Sequence, residues 1–120
     1  MCYAAVVKDS SLDVVRGTLD VLILKTVSWG PLHGYAISQW INECTDEALL
    51  VEEGALYPAL HRLEAKGLIS AEWGVSENNR LAKYYRLTAD GRQHLRRETK
   101  SFEEYAAAVF KVLRATKKPA

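Results

Sequence analysis

Residues 54–87 read GALYPALHRLEAKGLISAEWGVSENNRLAKYYRL, and two periodicities meet in them. Leu56, Ala59, Leu60 and Leu63 recur at helical spacing, so a helix opening at Gly54 carries one apolar stripe. Pro58 reads as a first-turn residue, where a missing N–H costs little. Gly67 stands where a helix is closed by a left-handed residue. The pattern then changes to period two. Ile69, Ala71, Trp73 and Val75 alternate with Ser70, Glu72 and Gly74. After the polar stretch 76–80, Lys83, Tyr85 and Leu87 alternate with Ala82, Tyr84 and Arg86. The spacing predicts a β-hairpin with a loop of about five residues.

Working outward, Leu19, Leu22, Ile23, Thr26 and Val27 form one face of a helix stopped by Gly30-Pro31. Ile37, Trp40, Ile41 and Cys44 repeat that spacing in a second helix, opening near Leu32 or His33 and ending before Thr45. Residues 48–51 read as a small strand or an extended link. Downstream, Thr88 is a candidate N-cap and Asp90 favours the positive end of the last helix. That helix spans Ala89 to about Ala115, roughly 40 Å, more than the preceding body can cover. Its apolar residues recur by sevens: Leu95, Phe102 and Val109 in one row, Tyr105 with Ala106 and Val112 with Leu113 in the other. Glu98 is the weak position. The expected organisation is an N-terminal arm over 1–15, a compact domain over 16–88, a long C-terminal helix over 89–116 and a basic tail over 117–120. The fold class expected is mainly α with a small β-hairpin.

Composition narrows the function. The chain has 120 residues, 48% hydrophobic and 26% charged, as in globular domains. That length excludes a large catalytic barrel or a two-domain dinucleotide enzyme. No apolar run approaches the ~20 residues of a membrane span, and Tyr3–Val7 is too short for a signal-peptide core. A cytoplasmic location without membrane attachment is expected. Cys2 and Cys44 have no zinc-type spacing; Cys44 sits in an apolar stripe and reads as a buried structural cysteine. No metal or cofactor is expected. The net charge of +1 conceals an asymmetry. Residues 1–53 hold three basic and eight acidic side chains, whereas 54–120 hold thirteen basic and seven acidic. A local basic face is compatible with that split.

Helix, helix, short extended piece, helix, hairpin is the order of a winged helix-turn-helix, whose third helix enters the major groove of DNA. Such a helix needs an apolar face for its own domain and an outer face of donors and flat groups. Tyr57 and His61, four residues apart, with Arg62 beside them, supply the outer face. Asn78, Asn79 and Arg80 at the hairpin loop, with Lys83 just inside it, are phosphate or minor-groove candidates. Arg62 could equally pair with an acidic side chain of its own fold, and Tyr57 could be a half-buried aromatic.

Three ordered segments make the reading specific. They are Gly17-Thr18-Leu19-Asp20 with Gly30-Pro31-Leu32-His33-Gly34-Tyr35; residues 54–64 with Gly67-Leu68-Ile69; and Lys83-Tyr84-Tyr85-Arg86-Leu87-Thr88 with Gly91. Together they resemble the PadR family of bacterial transcriptional regulators over residues 16–95. The resemblance implies a homodimeric repressor on an inverted-repeat operator in double-stranded DNA. It places Tyr35, Gly54, Tyr57, His61, Arg62, Asn79, Arg80 and Lys83 at the DNA. His33 is expected to pack at the start of the second helix rather than to touch DNA. The first and last helices build the family's dimer, which here implicates Leu19, Leu22, Leu95, Phe102, Tyr105, Val109, Val112 and Leu113. The family commonly has Thr or Ser where Ala55 stands, so a hydroxyl contact to phosphate is missing. Some short members clamp flat aromatic drugs between tryptophans of the last helix. Trp29, Trp40 and Trp73 all precede that helix here, which leaves Phe102, Tyr105 and Phe110 to receive a small aromatic effector.

Two other classes compete with this reading. An enzyme needs a nucleophile with its base, a metal cluster or a phosphate-cradling loop. His33, His61 and His94 are spread along the chain and no Gly-rich phosphate loop occurs. Nothing in the helical pattern forbids a winged helix used only for protein contact, and salt-dependent DNA binding is the discriminator.

Overall fold

A computed structural model describes residues 12–120, those of 12–16 by backbone only. The elements are α1 (Leu12–Val27), β1 (Leu32–His33), α2 (Gly34–Cys44), α3 (Glu53–Ala65), β2 (Ile69–Val75), β3 (Leu81–Leu87) and α4 (Ala89–Leu113). Helix α1 takes in residues 12–15 of the stretch read as an arm; residues 1–11 of that arm lie outside the described residues. The apolar stripes of α1, α2 and α3 meet in one core. Ile23, Leu24 and Val27 of α1 pack with Ile37 and Ile41 of α2 and with Leu56, Ala59, Leu60 and Leu63 of α3. Thr26, also buried, donates its hydroxyl to the Leu22 carbonyl at 2.7 Å, so it enters the core without an open donor.

The hairpin strands have the expected bounds, and its register pairs Ile69 with Leu87 at the base and Val75 with Leu81 at the tip. A third strand was not foreseen. Leu32 and His33 pair antiparallel with Tyr85 and Tyr84, giving the sheet order β1-β3-β2. Two residues are too few to show a period, and they shift the start of α2 to Gly34. Residues 45–52 form no strand. Their turn uses positive φ at Asp46 and Glu47, and the Val51 N–H donates to Asn42 Oδ1 at 2.8 Å. Cys44 is exposed rather than buried, because it is the last residue of α2 and lies beyond the stripe that ends at Ile41.

Caps explain the element ends. After α3, the Gly67 N–H donates to Glu64 and the Leu68 N–H to Leu63, with Gly67 at φ +75°. This is the doubly bonded glycine termination. Thr88 caps α4 by accepting the Gly91 N–H at 2.9 Å, and donates to the Gly67 carbonyl at 2.7 Å. Gly91 is buried so closely that a methyl there would run into the Leu68 carbonyl. These contacts set the direction in which α4 leaves. Its first turns are held by Gly91 and Leu95, while most side chains from Lys100 onward are exposed. No helix among the described residues is long and apolar enough to cross a membrane.

Candidate nucleic-acid interface

Burying Leu56, Ala59, Leu60 and Leu63 turns the opposite side of α3 outward. Gly54, Tyr57, Pro58 and His61, spaced i, i+3, i+4 and i+7, are all exposed there. Pro58 is the sixth residue of the helix, not a first-turn residue as the sequence suggested, because α3 begins at Glu53. Its ring leaves the Gly54 carbonyl without an i+4 donor, and the exposure of both residues lets water satisfy that oxygen. Pro58 is thus part of the outward face, a role its i+4 spacing from Gly54 could have signalled.

Tyr57 is 45% exposed. Its ring edge and hydroxyl lie over Gly34, where an added Cβ would come within 2.9 Å. The absence of a side chain at Gly34 therefore allows α2 and α3 to approach through Tyr57. The next residue, Tyr35, is exposed on the first turn of α2. His33 is the N-cap of that helix: its Nδ1 accepts the Ala36 N–H at 3.2 Å, and its ring meets Tyr84 edge-on at 5.5 Å. It is a packing and capping residue of α2.

The basic candidates separate. Arg62 turns away from Tyr57 and His61 and reaches α1, where it donates to Asp20 at 2.9 Å. Lys83 lies 3.4 Å from Glu64 and 5.8 Å from the Tyr85 ring, so it ties β3 to α3. Glu64 follows Tyr57 and His61 at i+7 and i+3 on the same row of the helix. Tyr85, 6% exposed, sits behind this junction. Burial holds its phenol above the ordinary value near 10; nearby Lys83 partly opposes that rise, while Glu64 and Tyr57 add to it. At the hairpin tip Asn79 adopts φ +59° and donates to the Ser76 carbonyl, and Ser76 donates to the Arg80 carbonyl at 2.8 Å. Asn79 and Arg80 are exposed, and the Arg80 guanidinium has no ion-pair partner among the described residues.

The structure therefore gathers Gly54, Tyr57 and His61 on one face, places Tyr35 beside it and sets Asn79 and Arg80 at the tip of an adjoining hairpin. Arg62 is drawn off to α1. The residues named for dimerisation also divide. Leu19 and Leu95 are buried in the chain's own core and Leu22 packs against it. Phe102, Tyr105, Val112 and Leu113 are exposed on α4, with Val109 half-buried between them.

A winged helix of this layout matches the model of the transcriptional regulator PadR-like family over residues 23–97. The chain belongs to the PadR-like family. It is 35% identical over 94 residues to the transcriptional regulator Rv3488 of Mycobacterium tuberculosis, an alignment covering 78% of this chain and 84% of that one. A transcriptional regulator from Clostridium thermocellum superposes with a TM-score of 0.75 at 34% identity, covering 82% of this chain and 96% of that chain. A PadR-like transcriptional regulator from Bacillus cereus gives 0.74 at 27% identity, covering 86% and 98%. Family and fold agree that this PadR-like chain is a DNA-binding transcriptional regulator. In the winged-helix fold the helix in the place of α3 is the one that enters the major groove, and a hairpin in the place of β2–β3 is the wing.

Proposed function

We propose that the chain is a homodimeric repressor that reads an inverted-repeat operator with α3 of each protomer. The observation that carries this is the outward row of Gly54, Tyr57 and His61 on α3, clear of the core and joined through the Glu64–Lys83 pair to the wing that bears Asn79 and Arg80 at its tip. Tyr57 offers a hydroxyl and a flat ring to phosphate or sugar; His61 reaches a phosphate or a base edge. Tyr35 and Lys83 contact backbone on either side, Lys83 by exchanging Glu64 for phosphate. Arg62, paired with Asp20, acts by fixing α3 on α1.

The arm of α4 supplies the dimer contact through Phe102, Tyr105, Val109, Val112 and Leu113. Dimerisation sets two reading helices roughly 34 Å apart, in successive major grooves. The setting is the cytoplasm. A small aromatic effector bound among Phe102, Tyr105 and Phe110 would release the operator by changing how the two α4 helices pack, a coupling of two sites through one interface.

The test is Tyr57→Ala against a duplex carrying the promoter upstream of the protein's own gene. Affinity is expected to fall about tenfold, equivalent to roughly 1.4 kcal/mol, with the fold retained. Wild-type affinity in the folded variant would remove Tyr57 from the reading face.

A further inference from the structure

The inner face of the wing changes character along its length. Ile69 pairs with Leu87, Ala71 with Tyr85, Trp73 with Lys83 and Val75 with Leu81, and directly paired residues share a face. At the base that face is core, with Ile69 and Tyr85 buried. Past Tyr85 the body ends, and Trp73, Val75 and Leu81 are 64%, 65% and 71% exposed. The ribbon that carries them is stiffened from behind. Gly74 lies under the Tyr84 ring, and the Tyr84 hydroxyl donates to the Val75 carbonyl at 3.4 Å.

We propose that this apolar face is a DNA contact, with Trp73 and Leu81 packed on deoxyribose and groove wall next to the segment read by α3. The inference rests on the DNA-reading assignment above. Its surroundings select the occupant. Lys83, opposite Trp73, is bonded to Glu64 in the same helical row as Tyr57 and His61, so the apolar face runs on from the outward side of α3. Arg80, one residue from Leu81, is exposed and without an ion-pair partner among the described residues, which suits a phosphate flanking an apolar contact. Glu72 pairs with Tyr84 on the opposite face and does not oppose a polyanion here. Apolar side chains used together with basic ones are a general mode of minor-groove contact.

Apolar and ionic contacts leave different traces in salt. Binding of the wild type, Trp73→Ala, Leu81→Ala and Arg80→Ala to the duplex upstream of the protein's own gene, and to a scrambled duplex, is measured over a salt series. Trp73→Ala should weaken binding about tenfold at every salt concentration and leave the salt slope unchanged, Leu81→Ala less so. Arg80→Ala should instead reduce the slope by about one. Both apolar positions are exposed, so thermal midpoints near wild type are expected. A Trp73→Ala variant that binds like wild type overturns the proposal and turns the face toward a protein partner. So does a loss that comes with a changed slope. Wild type binding neither duplex would instead overturn the DNA-reading assignment itself, and the wing contact with it.

Discussion

Gly34 and Tyr57 show how a single absent side chain positions an exposed aromatic ring. The Tyr57 ring sits where a Cβ on Gly34 would stand, and the ring's far end is the movable partner. Gly34→Ala is therefore expected to fold with a thermal midpoint close to wild type, while its DNA affinity falls as in Tyr57→Ala. An unchanged affinity would show that the placement of Tyr57 does not matter. Tyr85 offers a second test at this scale. Its phenol is raised in the fold, so the folded state holds that proton more tightly than the unfolded chain. The stability this contributes is complete below the unfolded value near 10 and is lost as pH rises through the folded one. Denaturant midpoints followed from about pH 8 into the alkaline range should drop more for wild type than for Tyr85→Phe. Parallel losses would contradict the assignment. Tyr57 and His61 were legible from spacing alone. For Arg62 an ion pair within the fold was legible as an alternative but its partner was not, since Asp20 is distant in sequence and only packing brings them together.

Among the elements, local chemistry predicted what local chemistry determines. The apolar stripe of α3, its Gly67 stop, the hairpin strands and the Thr88 cap each depend on residues within a few positions of one another. What escaped depends on the rest of the fold. Strand β1 exists only because β3 is there to pair with it, and the exposure of Cys44 follows from where α2 stops packing. The exposed apolar face of the wing was read as simple alternation, because strand period cannot tell where the body beneath a strand ends. Helix α4 tests the element scale directly. Its apolar rows continue beyond Leu95, its last buried residue, and the projecting part has no cover among the described residues. A carboxylate at the half-buried Val109 would have to be desolvated in a helix–helix seam. On the proposed dimer, Val109→Asp is expected to sediment as a folded monomer at concentrations where the wild type pairs. A stable dimer of this variant would remove the seam.

The whole molecule is elongated, with principal extents of 63 × 35 × 21 Å, because a small three-helix core carries a 25-residue helix anchored at one end. The N-terminal end of α4 is stitched through Thr88 to the α3–β2 turn, at the base of the wing and the end of α3. On the proposed dimer, that linkage would give an effector bound at the α4 helices a mechanical route to the spacing of the two α3 helices. Whether this chain reads a particular DNA sequence is decided by a salt series on the wild-type protein. Binding to the promoter duplex should exceed binding to a scrambled duplex, and log affinity should fall linearly with log salt as counterions are released. Equal affinity for both duplexes, or affinity indifferent to salt, would contradict it.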